Sequence, residues 1–141
     1  MKHIPTEIEW RSVPWCLDIP YAYDHFFGKT LAEAIQLFEE NAIYFQEDLM
    51  WMPKPCLSFY LDAYIDYLLG DSSAGDSDGA SCFFWLIEIR HLEIGSFDRA
   101  TISRTRQVLE RLATRQSWYA ADVEIYGDFR ERAKSMHKLL G

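Results

Sequence analysis

The sequence has few of the residues and patterns on which disulfide-rich, zinc-binding or membrane proteins depend. Its 141 residues include three cysteines, Cys16, Cys56 and Cys82, without a Cys-x-x-Cys spacing. This odd number argues against a disulfide framework or a zinc site and favours small buried hydrophobes in a reducing compartment. The longest clearly apolar run, residues 82–87, is too short for a membrane span, and the first residues lack a signal-peptide pattern. We therefore expect a cytoplasmic protein that does not bind membranes.

Motifs of catalysis and cofactor binding are also missing, including a phosphate-binding loop and a nucleophile elbow. Residues 76–79 partly match a calcium loop, but that register puts Ala74 and Trp85 where oxygen ligands are needed. Glu88 and His91 have the Glu-x-x-His spacing of di-metal bundles, yet no second copy exists. The sequence thus predicts no metal, no cofactor and no catalytic residue. Glu88 and His91 remain the candidates if the chain is an enzyme with a site assembled from scattered residues.

Aromatic and acidic side chains are what the sequence has in excess. Aromatic residues make up 16% of the chain, and the formal net charge is −8. Residues 1–80 carry fourteen acidic and four basic side chains, a net charge of −10, whereas residues 81–141 carry eight and ten, a net charge of +2. The acidic half either attracts a basic protein surface and repels nucleic acid, or keeps the chain soluble and pairs with the basic half. For the same reason we interpret one group of arginines as a solvated face rather than a nucleic-acid site: Arg99, Arg104, Arg106, Arg111 and Arg115.

Apolar periodicity predicts an all-α fold, a compact bundle of about five helices in one domain over residues 1–141. Thr30 and Glu33 form a capping box, and the helix behind them ends near Pro53. The other predicted helices span about 57–69, 82–92, 98–115 and 128–140. Residues 82–92 are apolar enough for a strand or a helix, and we favour a central helix because the chain offers no strand partner.

Two segments are predicted to lack regular structure. Residues 1–29 are interrupted by Pro5, Pro14 and Pro20 and rich in aromatic side chains. They are expected to form an irregular arm that lies across the helices. Residues 70–81 contain only small and acidic residues, which predicts a flexible internal loop.

The first two predicted helices carry acidic and aromatic side chains on the flank away from their apolar stripes. Carboxylates on such a surface steer a basic partner, and aromatic rings anchor it. The alternative is that the first helix is central and buries both of its faces. The predicted partner-binding residues are Glu40, Tyr44, Glu47, Trp51, Asp62, Asp66 and Tyr67.

One stretch resembles a known class of proteins. Residues 25–34, His-Phe-Phe-Gly-Lys-Thr-Leu-Ala-Glu-Ala, and residues 37–41, Leu-Phe-Glu-Glu-Asn, are similar to segments of small helical bacterial immunity proteins. Those proteins neutralise polymorphic or interbacterial toxins. The resemblance implies a cytoplasmic inhibitor that binds one toxin domain tightly and occludes its active surface, and it assigns no site residue by position. An enzyme or a regulatory adaptor domain remains the alternative interpretation.

Overall fold

The structure is a computed structural model that describes residues 2–141, and within that range it contains helices and no strand. This confirms the all-α prediction. The five long helices that the sequence predicts are present, but three further helical segments precede or separate them. The eight helices are α1 (Glu7–Trp10), α2 (Ile19–Phe26), α3 (Leu31–Leu49), α4 (Lys54–Leu69), α5 (Ser77–Ile94), α6 (Arg99–Thr114), α7 (Val123–Tyr126) and α8 (Phe129–Leu140).

The N-terminal arm is not irregular, because α1 and α2 lie within it. Thr6 and Glu9 form a second capping box at the start of α1, with Thr6 Oγ1 accepting from the Glu9 amide at 3.2 Å. Pro20 lies in the first turn of α2, where a missing N–H breaks no helical hydrogen bond. The arm does pack on the helices as expected, since the Trp10 and Phe26 rings are buried against the Tyr60 ring of α4.

Helix α3 begins with the predicted capping box and bends in its middle. Thr30 Oγ1 accepts from the Glu33 amide at 3.2 Å, and Glu33 accepts from the Thr30 amide at 3.0 Å. Asn41 leaves the helical conformation, with φ −164° and ψ 80°. Its side-chain oxygen accepts from the Tyr44 amide at 3.3 Å and so caps a second helical segment. The bend changes the direction of the side chains that follow it.

Helix α4 is the central helix, because α1, α3, α5 and α6 all pack against it. It begins three residues before the prediction, directly after Pro53. Phe59 and Ala63 lie on the same flank as Tyr67, a predicted binding residue, and all three are at most 6% exposed. The interpretation of that flank as a surface is therefore wrong.

The prediction of a flexible loop over residues 70–81 is wrong for the second half of that segment. Helix α5 begins at Ser77, and its N-cap is Asp76, whose carboxylate accepts from the Gly79 amide at 3.0 Å. A 3₁₀ turn covers Asp71–Ser73, and the buried Ser73 hydroxyl donates to the Leu68 carbonyl at 3.2 Å. Polar residues that suggest a loop thus serve as helix caps. The helix favoured for residues 82–92 is confirmed within α5.

Helices α6 and α8 follow the sequence closely. Asp98 and Asp128 are their N-caps, one residue before each helix. Phe129, Ala133, Met136 and Leu140 share one face of α8 and are all buried, and α8 packs against α5 and α6. The short α7 lies between α6 and α8. Buried apolar side chains from the arm and the long helices form one continuous cluster.

The three cysteines do not share one environment. Cys56 is buried and Cys82 half-buried, whereas Cys16 is exposed, so the interpretation as a buried hydrophobe is wrong for Cys16. Burial raises the pKa of the Cys56 thiol to about 12 and that of Cys82 to about 11. Both thiols therefore stay protonated and weakly reactive near neutral pH.

Candidate functional site

A pocket of about 240 Å³ lies between α2 and the C-terminal half of α3, and we call it the α2–α3 pocket. Each helix contributes residues spaced three or four positions apart, which places them on one face. Asp18, Tyr21 and His25 come from the N-cap and body of α2, and Tyr44, Glu47, Asp48 and Trp51 come from the end of α3 and the turn behind it. The cap at Asn41 restarts α3 just before these residues and therefore sets their direction.

Exposed aromatic rings form much of the pocket wall. Tyr21 is 64% exposed, Tyr44 52% and Trp51 43%, so solvent reaches all three rings. Large aromatic side chains that stay exposed in a folded chain are typical of binding surfaces rather than of cores.

The back of the pocket holds a histidine–carboxylate pair. His25 Nδ1 lies 2.6 Å from Asp48 Oδ2, and His25 Nε2 lies 3.4 Å from the Tyr44 hydroxyl. Burial raises the pKa of the Asp48 carboxyl, and the hydrogen bond with His25 partly opposes that rise. The pair therefore orients the imidazole and holds one negative charge below the pocket floor.

Two further carboxylates in the pocket lack a basic partner. Asp18 occupies the N-cap of α2 but makes no capping hydrogen bond. Glu47 is exposed and takes part in none of the ion pairs formed among residues 2–141. The described residues that line the pocket include no lysine or arginine. The pocket consequently has an excess of negative charge that only His25, when protonated, reduces from within.

This arrangement suits the binding of a cation better than covalent chemistry. A carboxylate behind an imidazole is also part of a general-base system. Here the hydroxyl facing the imidazole belongs to Tyr44, and a phenol is a weak nucleophile near neutral pH. Aromatic faces and carboxylates, by contrast, are the two groups that attract organic cations.

The structure brings together only part of the predicted binding surface. Tyr44, Glu47 and Trp51 line the α2–α3 pocket. Glu40 is exposed but borders a separate depression beside Asn41 and Asp76.

The α4 members of the predicted surface lie elsewhere and have partners inside the chain. Asp62 pairs with Lys2 at 3.2 Å and with Arg104 of α6 at 3.4 Å, and Asp66 also pairs with Arg104. Tyr67 is 4% exposed, and its hydroxyl donates to Asp76 at 2.6 Å. Arg104 of α6 thus neutralises the two acids, whereas Tyr67 packs against Phe38 of α3. A buried Tyr67 cannot anchor a partner as predicted.

Sequence reasoning missed Asp18, Tyr21, His25 and Asp48 as site residues. The first three repeat at steps of three and four, which is a helical signal, but the prolines of the arm argued against a helix there. Asp48 directly follows Glu47, and no sequence motif distinguishes it from the other acidic residues. Its importance comes from His25, which lies 23 positions away along the chain.

The side chains of Glu88 and His91, the candidates for a scattered enzyme site, do not pair with each other. His91 Nδ1 lies 3.0 Å from the Glu88 carbonyl oxygen in the last turns of α5. Over the range that the structure describes, no group of three or more histidine, cysteine, aspartate or glutamate side chains is placed to hold a metal ion.

Within residues 2–141, no helix combines the length and apolar character that crossing a membrane requires. Comparison with protein-family models finds no match to this chain, and no curated protein or solved structure matches it either.

Proposed function

We propose that this chain is a protein-binding inhibitor of the immunity type, which binds a basic domain of a bacterial toxin in the cytoplasm and covers its active surface. The observation that carries the proposal is the α2–α3 pocket, where exposed rings stand beside carboxylates without a basic partner. Carboxylates of this kind accelerate the approach of a basic protein, and the rings bury apolar area once it has docked.

The distribution of ion pairs supports this choice of surface. Arg104 and Lys2 already neutralise Asp62 and Asp66 within the chain. Asp18 and Glu47 remain available to an external cation. Long-range attraction of a basic partner is therefore directed toward the pocket more than toward α4.

The first prediction tests the partner. Each reading frame next to the gene is expressed alone in a bacterial host, and then together with this chain. We expect one product to stop growth and co-expression of this chain to restore it. If no neighbouring product is toxic, or if this chain fails to rescue growth, the immunity function is wrong.

The kinetics of the purified pair then test the pocket. Glu47→Lys should slow association most at low salt, because ions screen the attraction between charges. Trp51→Ala should cost about 2 kcal/mol of binding free energy through faster dissociation, a change of about thirtyfold. Surface-plasmon measurements at two salt concentrations separate the two effects.

Glu124→Lys is the matched control, because Glu124 is equally an exposed acid but lies on α7, outside the pocket. It should leave both rate constants unchanged. Circular dichroism must first show that all three variants are folded. Folded Glu47→Lys protein with the wild-type on-rate and salt dependence would place the interface elsewhere.

A further inference from the structure

We infer that the α2–α3 pocket holds the guanidinium group of an arginine side chain from the partner. This inference rests on the proposed function, since it names the group of the partner that the pocket recognises. Three properties of the pocket carry it: its charge, its walls and its size.

The negative charge of the pocket favours a cationic ligand. Asp18, Glu47 and Asp48 contribute carboxylates, and among the described lining residues only His25 can carry a positive charge. Asp18 and Glu47 are free to accept hydrogen bonds, whereas Asp48 is held by His25 at the back. Two accessible carboxylates suit the several N–H donors of a guanidinium, which binds carboxylates in a fork geometry.

The walls favour arginine over lysine. A guanidinium is planar and weakly hydrated, so it stacks on aromatic faces, whereas an ammonium keeps its water more strongly. The chain itself uses this contact elsewhere: Arg11 lies 4.2 Å from the ring centroid of Trp15, and Arg111 lies 5.0 Å from that of Trp118. The Tyr44 and Trp51 rings have no such arginine among the described residues.

The size of the pocket limits the occupant to one side chain. Its volume is about 240 Å³. Pockets for drug-sized ligands begin at about 300 Å³. A single long side chain fits this space, and a helix or a folded loop does not.

The test uses blocked amino acids as probes of the wild-type chain. N-acetyl-arginine amide is titrated while backbone amide NMR signals of residues 18–25 and 44–51, the two segments that line the pocket, are followed. The matched probes are N-acetyl-citrulline amide, which has nearly the same shape without the charge, and N-acetyl-lysine amide. We expect saturable shifts with arginine, at least tenfold weaker binding of citrulline and at least threefold weaker binding of lysine.

Variants and a competing ligand locate the site. Glu47→Gln should weaken binding of the arginine probe at least threefold, and Glu124→Gln, outside the pocket, should not change it. Free arginine tests whether the pocket serves a metabolite, because it carries its own carboxylate into an acidic site. Free arginine that binds more tightly than the blocked amide would overturn the assignment to a protein side chain.

The remaining outcomes test the guanidinium site separately from the immunity function. Equal binding of arginine and citrulline, or shifts confined to residues outside 18–25 and 44–51, would overturn the guanidinium site even if the chain still rescued growth. Equal binding of lysine would show that the pocket responds to charge alone and would overturn the choice of arginine. Arginine binding in the pocket without any toxin rescue would contradict the immunity function and leave the guanidinium site standing.

Discussion

The carboxylate of Asp48 is the most constrained charge in the α2–α3 pocket. Its side chain is 10% exposed, and its partner His25 packs against the Tyr44 and Phe45 rings, with centroids at 5.4 and 5.2 Å. Burial disfavours the charged form of a carboxyl, which is why its pKa lies above the ordinary value of 3.8 despite the hydrogen bond. The folded chain therefore binds this proton more tightly than the unfolded chain does.

The pH dependence of stability should reveal the raised pKa of Asp48. The contribution of a carboxyl with a raised pKa is fully present below pH 3.8 and is lost as the pH rises through the folded-state pKa. Asp48→Asn keeps an acceptor for His25 but has no charge to desolvate. We therefore expect the melting temperature of this variant, relative to wild type, to increase by a few degrees as the pH rises from about 3.5 to 6.

Thermal melts of both proteins across this pH range provide the measurement. Glu124→Gln is the control, because Glu124 is exposed on α7, outside the pocket, and water solvates its side chain in both the folded and the unfolded chain. A relative melting temperature that falls as the pH rises would mean that attraction to His25 outweighs the desolvation of Asp48.

At the scale of elements, Arg90 determines how α3 ends. Its buried guanidinium donates through Nη1 to the carbonyl oxygens of Leu49, Met50 and Met52, at 3.0, 3.2 and 2.8 Å. The last carbonyls of a helix have no partner within the helix, and a cation there also favours the helix dipole. Arg90 itself leaves the helical conformation, with φ −115° and ψ 20°. Helix α5 therefore bends at Arg90, the residue whose side chain caps the end of α3.

Arg90→Met should lower the free energy of unfolding by about 3 kcal/mol, because three carbonyls in or near the core lose a charged donor. Arg90→Lys should lie between wild type and Arg90→Met, since an ammonium lacks the planar fork of donors. Urea denaturation gives both values.

Arg99→Met is the matched control for this substitution. Arg99 is exposed at the start of α6, where a surface change alters stability by less than about 0.5 kcal/mol. If Arg90→Met is as stable as Arg99→Met, water replaces the guanidinium at these carbonyls and Arg90 does not hold α3 in place.

At the scale of the whole molecule, one arginine joins the basic half of the chain to the acidic half. Arg104 of α6 reaches Asp62 and Asp66 of α4. Lys2, which belongs to the acidic half, also donates to Asp62 and ties it to Thr101 and the Ser58 carbonyl. The interpretation that the two halves pair is therefore correct for α4, and it does not extend to Asp18 and Glu47 in the α2–α3 pocket.

The segment between α4 and α5 links distant parts of the fold and should be needed for stability. Ser73 donates to Leu68, the Gly75 amide donates to the Trp118 carbonyl at 3.0 Å, and Asp76 accepts from Tyr67. Replacing residues 71–76 by a Gly/Ser linker of equal length should lower the free energy of unfolding by about 2–4 kcal/mol, since it removes a helix cap and a buried hydrogen bond.

A variant that exchanges only Asp71 and Ser72, both exposed, for Ser and Gly is the control and should melt like wild type. Chemical denaturation of both variants gives the comparison. If the full linker replacement is equally neutral, the contacts of Ser73 and Asp76 do not contribute to stability.

The sequence by itself determined the five long helices and where three of them begin. Thr30 and Glu33 start α3, Asp98 and Asp128 start α6 and α8, and the apolar spacing of α8 identifies its buried face. These features are local, because a cap or an apolar stripe depends on residues within a few positions of one another. Even the start of α1 could have been predicted from residues 6–9 by the same capping rule.

Only the tertiary structure decided which acids and rings are available to a partner. Tyr67 and Trp51 are both aromatic residues on predicted outer flanks, yet packing buries one and exposes the other. Asp62 meets Arg104 from 42 positions away, whereas Glu47 meets no cation of the described chain. The reason is physical: burial and charge neutralisation are set by which helices pack together, and helical periodicity carries no information about the neighbouring helix.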